Sequence, residues 1–172
     1  MYRADRVSRG KWGWRRLLSP VFLGISLFVV VVALSIFIIT RPKEPIPAAI
    51  VKQAGFTLFY PSELPDTYKI DPESFDYRDA RVSYSLTSPS KPKILVTIQA
   101  KPADYDTEYF NQKLPGRSGL ETPNGTAVIG QAGNSKLSSL ISDGAWVLIS
   151  TSSQTPDKAF NQVTKSLYAT DN

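Results

Sequence analysis

One stretch of this chain limits everything else. From Leu17 to Thr40 runs LLSPVFLGISLFVVVVALSIFIIT, 24 positions without a charged side chain. As a helix at about 1.5 Å per residue it reaches roughly 36 Å, and a bilayer core of about 30 Å asks for about 20 such residues. Leu, Ile, Val and Phe fill most of the run, and each favours insertion into hydrocarbon. Pro20 falls in the first turn, where a missing N–H costs little. The run is too long for a secretory h-region of about 7–15 residues. Thr40-Arg41-Pro42-Lys43 follows it directly, and Pro47-Ala48-Ala49 is a poor cleavage match. Without cysteine there is no lipoprotein anchor either. Residues 17–40 are therefore expected to be an uncleaved transmembrane signal-anchor.

Charge predicts which end crosses. Arg3, Arg6, Arg9, Lys11, Arg15 and Arg16 precede the run, against the single acid Asp5. Beyond residue 40 the chain has 14 bases and 14 acids, so the whole net charge of +5 lies in the first 16 residues. Lys and Arg close to a helix end stay on the cytoplasmic side. The expected arrangement is a basic cytoplasmic tail (1–16), the anchor (17–40), a proline-rich spacer with a short helix (41–55) and an extracytoplasmic domain (56–172) at the plasma membrane. Trp12 and Trp14 suit the interfacial zone. A basic isoelectric point near 9.4 often signals nucleic acid. Here the surplus sits beside the anchor, so the bilayer is the expected partner: each base near anionic lipid contributes about 1 kcal/mol.

The spacer RPKEPIP holds three prolines in seven positions, and proline fixes φ in an extended region. Pro47 and Gly55 bracket a short helix, Ala48–Gln53. The domain beyond reads as α+β, mainly antiparallel sheet. FTLFY (56–60) is apolar and ends at Pro61, and Tyr68–Ile70 and Ser74–Tyr77 are short extended pieces. Arg81–Leu86 alternates, with Val82, Tyr84 and Leu86 on one face. Ile94–Ala100 answers with Ile94, Val96 and Ile98, which predicts an antiparallel hairpin. Residues 103–113 predict a mid-domain helix, with Asp104 as cap and Tyr105, Tyr109 and Phe110 near one face.

A second hairpin joins Gly119–Thr122 to Thr126–Ile129 through Pro123-Asn124-Gly125. A third joins Leu137–Ile141 to Ala145–Thr151 through Asp143-Gly144, a dipeptide suited to a turn with φ > 0. Trp146–Ile149 is apolar on both faces, which predicts a central strand. Thr155-Pro156-Asp157 supplies a hydroxyl cap, a proline and a first-turn acid. Ala159, Phe160, Val163 and Leu167 then follow at helical spacing, so a C-terminal helix should lie on the sheet. No second membrane span is expected.

Much chemistry is excluded. The chain has no cysteine and no histidine, which removes disulfides, Cys/His zinc sites and Ser-His-Asp or Cys-His nucleophiles. Gly125-x4-Gly130 has the glycine spacing of a phosphate loop, but Gln131-Ala132 stands where lysine and a hydroxyl are needed. Ser88-Pro89-Ser90-Lys91 matches the S-x-x-K pattern of serine acyl-enzymes, which needs both residues on one helical turn; here it falls in a hairpin loop. A Ser-Lys hydrolase is the remote alternative to a non-enzymatic domain.

Asp71, Glu73, Asp76 and Asp79 cluster, as do Asp104, Asp106 and Glu108. Neither group has the glycine and distal glutamate of a loop that wraps Ca²⁺. Lys69, Arg78 and Arg81 interleave with the first, the pattern of a solvated ion-pair surface. No metal or cofactor is expected. Asn124-Gly125-Thr126 is formally a glycosylation sequon, but its reading as an Asn-Gly turn prevails. Tyr60, Leu64 and Tyr68, separated by prolines, form either a partner-binding aromatic surface or core under a tight corner.

Residues 56–75 (FTLFYPSELPDTYKIDPESF), 119–133 (GLETPNGTAVIGQAG), 142–153 (SDGAWVLISTSS) and 156–167 (PDKAFNQVTKSL) follow one another in an order that resembles an uncharacterised family of bacterial membrane-anchored ectodomains. The likeness covers about residues 46–168, and the aromatic-Tyr-Pro-x-x-Leu-Pro-x-x-Tyr run is its most distinctive part. Relatives of that family also occur behind anti-sigma-like modules. The resemblance implies an envelope protein: a scaffold that binds an exported protein or an envelope polymer or, alternatively, a sensor subunit. It brings no catalytic residues. The tail of 16 residues is too short to bury a core, so it cannot hold a sigma factor as a folded domain. Gly24, Ser26, Ala33 and Ser35 also lack the four-residue spacing of helix-packing motifs.

Overall fold

The computed structural model describes residues 45–104, 106 and 112–170. The expected basic tail and anchor, the start of the spacer and most of the expected helix over 103–113 lie outside them. No helix among the described residues is long and apolar enough to cross a membrane. The chain divides into two units, Met1–Lys43 and Glu44–Asn172, and all of the described residues belong to the second.

This unit is α+β with all of its strand pairs antiparallel. Helix α1 (Ala48–Ala54) comes first, then strands β1 (Phe59–Pro61) and β2 (Lys69–Ile70), a 3-10 turn (Pro72–Ser74), and β3 (Asp76–Arg78). The long strands follow: β4 (Arg81–Thr87), β5 (Ile94–Ala100), β6 (Ser118–Thr122), β7 (Gly125–Ala132), β8 (Ser135–Ser142) and β9 (Ala145–Ser152). Helix α2 (Asp157–Lys165) and β10 (Leu167–Ala169) end the fold. The main sheet runs β2-β4-β5-β9-β8-β7-β6, with β3 also on β4, while β1 and β10 form a separate ribbon.

Period-two alternation builds the core. Val82 pairs with Ile98, Tyr84 with Val96 and Leu86 with Ile94. Val96 and Ile98 then face Ile149 and Val147 across β9. All eight are buried, and full burial of such side chains contributes about 1.5–3 kcal/mol each. The predicted hairpins form, and β9 is central. Its residues nevertheless alternate, with Val147 and Ile149 buried and Trp146 and Leu148 half-buried.

Turn chemistry sets the register. Asp143 and Gly144 adopt φ of 48° and 72°, the left-handed pair that a two-residue hairpin turn requires. β7 and β8 pair as well, through a turn at Gly133-Asn134, so the second and third hairpins are one continuous meander.

Several boundaries differ from expectation, each for a local reason. Pro61 does not stop β1 but belongs to it, opposite Leu167. Proline is tolerated there because it occupies a ladder position that needs no N–H toward the partner. Thr155 does not cap α2: its hydroxyl bonds that of Thr151 at 2.7 Å in a buried pair. Leu167 is not helical but opens β10, because α2 ends at Lys165, Ser166 caps it and the chain turns back onto β1. The compact unit also starts before Phe56, since Ile46 is buried and Ile50, Val51 and Ala54 of α1 pack against the core.

Candidate functional site

Of the two readings of Tyr60, Leu64 and Tyr68, burial agrees with core under a tight corner and not with a partner surface. Tyr60 and Tyr68 are 3% and 4% exposed, and Leu64 is half-buried against the same cluster. Tyr68 donates its hydroxyl to the Pro92 carbonyl at 2.9 Å. Its ring lies 5.8 Å below Lys91 Nζ. Burial therefore removes this corner as an exposed aromatic patch.

The Ser88–Lys91 segment is a bent loop, not the helical turn that Ser-Lys chemistry requires. Ser88 Oγ shares a hydrogen bond with Thr67 Oγ1 at 3.0 Å. The first acidic group disperses into local roles. Asp71 accepts from the Glu73 amide, while Asp76 and Asp79 pair with Arg78 and Arg81. Among the described residues no group of three or more acidic side chains converges as metal ligands would. Asn124 does more than occupy a turn: its Nδ2 donates to the Leu167 carbonyl at 2.6 Å.

Two concavities flank α2, and Asn161 borders both. The smaller, about 560 Å³, lies between α2 and the β6–β7 hairpin, with Ile129, Phe160 and Pro115 as apolar walls. Its cation is Lys136, on the inner face of β8. Lys136 Nζ donates to the Thr155 carbonyl at 2.5 Å and pairs with the Asp157 carboxylate. That charge is already neutralised, which leaves little to attract a ligand.

The larger concavity is a groove of about 870 Å³ between α2, β10 and the Pro123-Asn124 turn. Lys158, Asn161, Gln162 and Lys165 recur at helical spacing and form one wall. Residues 167–170 form the floor. Ser166 turns the chain from helix to strand: its hydroxyl donates to the Glu63 carbonyl at 2.8 Å, and its carbonyl accepts from the Ser62 amide at 2.7 Å. Tyr168 is half exposed at 50% and packs its ring against Tyr60, with centroids 5.8 Å apart.

Sequence reading missed this groove. It gave Lys158 and Lys165 no role, and Leu167 matched the helical stripe, which hid β10. The uncharged Ser166–Thr170 stretch after the last helical lysine was the available signal.

No protein-family model matches the chain, and no curated protein matches it.

Proposed function

We propose that this chain is a single-pass membrane protein whose domain outside the membrane is a non-enzymatic binding module. In this reading it holds an exported protein or an envelope polymer close to the bilayer. The observation that carries the reading is the groove along α2 and β10. It is open, ringed by polar side chains, and has one exposed aromatic at its floor. Binding sites combine a concave surface with a few placed polar groups in this way. The uncharged run from Leu17 to Thr40 and the six bases before it support the tether and its direction. The resemblance to membrane-anchored ectodomains agrees with both.

Two measurements test it. Protease added to intact cells should digest the chain beyond residue 44 and spare the basic tail. Affinity capture of the full chain from mild-detergent membrane extracts should retain an envelope component that an unrelated anchored domain does not. A chain that retains nothing under several detergents and salts overturns the binding reading. Digestion only after permeabilisation overturns the topology.

A further inference from the structure

The ribbon β1–β10 leaves one side of β10 open. Its rungs toward β1 come from alternate residues: the Ser62 amide donates to the Ser166 carbonyl at 2.7 Å, and the Thr170 amide to the Leu58 carbonyl at 2.8 Å. Antiparallel alternation therefore turns the backbone groups of Leu167 and Ala169 away from β1, toward the groove they line. Asn124 Nδ2 already donates to the Leu167 carbonyl at 2.6 Å, where a neighbouring strand would place an N–H. Among the described residues, no bond outside the ribbon engages the N–H and C=O of Ala169.

Two further observations point to the occupant. Lys158 and Lys165 line the groove and form no ion pair among the described residues, and Glu63 is the one acid among the described residues that line it. The floor also carries Tyr168, one of two large hydrophobic residues exposed among the described residues. Edge strands are normally protected by charge or proline because they template pairing. β10 reads Leu-Tyr-Ala and has neither.

We propose that β10 is a docking edge for an extended, acidic segment of a partner protein. The segment adds as a third strand to the ribbon, pairs with the outward groups of Ala169, covers Tyr168 and places carboxylates against Lys158 and Lys165. Strand addition takes its affinity from main-chain hydrogen bonds and its specificity from alternate side chains. This favours a peptide over a glycan, whose backbone has no amide at strand spacing to match Ala169. The inference rests on the binding-module reading and names the partner's chemistry.

The test uses the full chain in lipid nanodiscs as bait for phage-displayed random peptides. Recovered peptides should be acidic. A synthetic copy should bind about tenfold more weakly to a Lys158→Glu/Lys165→Glu chain, the loss expected when a charge-assisted contact is reversed. A copy N-methylated at alternate amides should weaken by a similar factor, and so should Ala169→Pro, which deletes the outward N–H. Should Ala169→Pro fail to fold, the methylated peptide makes the same cut from the ligand side.

Three results overturn the proposal: no peptide enriched over an unrelated nanodisc protein, enriched peptides indifferent to both lysine reversal and methylation, or an envelope glycan bound in the groove with the same lysine dependence. The last two leave the binding-module reading standing. That reading falls separately, if the unmodified chain captures nothing from membrane extracts.

Discussion

The Tyr84 hydroxyl donates to the Phe59 carbonyl at 2.8 Å, and both residues are fully buried. This bond joins the inner face of the main sheet to the β1–β10 ribbon, from which the groove is built. Phe59 stands opposite Ala169 in a rung whose backbone groups point away from the partner strand, so its carbonyl needs a donor from elsewhere. Tyr84→Phe leaves that carbonyl unsatisfied in the core, at a cost of about 1–3 kcal/mol. Chemical unfolding followed by near-ultraviolet circular dichroism should show the loss. Stability equal to that of the parent would remove the bond from the account.

The same phenol sets an alkaline limit. Burial pushes the Tyr84 hydroxyl well above its ordinary value, and burial raises Tyr68 too, against a smaller opposing effect of the Thr155 hydroxyl. The folded state therefore keeps protons that the unfolded chain releases near pH 10. Stability from this source is complete below about pH 10 and declines as pH rises beyond it. The melting temperature should fall above about pH 10, and less steeply in Tyr84→Phe. An identical alkaline slope in both proteins would contradict the assignment.

Asn124 joins the β6–β7 turn to β10 through its bond to the Leu167 carbonyl. Asn124→Ala should cost about 1 kcal/mol, the usual net value of such a bond. Asn124→Asp should cost more, because a carboxylate presents only acceptors to that carbonyl. Hydrogen exchange should quicken at the Tyr168 amide in both variants, and unchanged protection there would show that the bond does not hold the ribbon.

Gly130 lets the chain after Leu114 lie against β7. A Cβ at this position would meet Leu114 Cβ at 2.9 Å and the Pro115 carbonyl oxygen at 3.2 Å. The Gln131 amide donates to that same carbonyl at 3.1 Å. Gly130→Ala should destabilise the domain by about 1–3 kcal/mol, as overpacking does. The Gln131 amide should also lose exchange protection. A variant with both properties unchanged would mean that residues 114–115 shift freely.

Local signals made much of the sheet legible. The alternation in Arg81–Leu86 and Ile94–Ala100 sufficed to place Val82, Tyr84, Leu86, Ile94, Val96 and Ile98 on a buried face, and Asp143-Gly144 specified its turn. Both depend on neighbours in sequence, through side-chain period and backbone φ. The same holds for the stripe Ala159, Phe160 and Val163.

What failed were features decided by distant partners. Thr155 reads as a helix cap, yet Thr151 on β9 takes its hydroxyl. Leu167 reads as helical, yet β1, more than a hundred residues earlier in the chain, draws it into a strand. Tyr60 and Tyr68 allowed a surface reading beside the favoured core one until the fold enclosed them. The groove is the largest such case, since Ser62-Glu63, the Pro123-Asn124 turn and the segment from Lys158 to Thr170 come from three separate parts of the chain.

By itself, then, the sequence determined the α+β class and most hairpins, because side-chain period and turn geometry act locally. Only tertiary structure decided which polar groups became partners, which aromatics were buried and how α2, β10 and the Pro123-Asn124 turn enclose one groove. Those outcomes depend on contacts between residues that no short window of sequence contains.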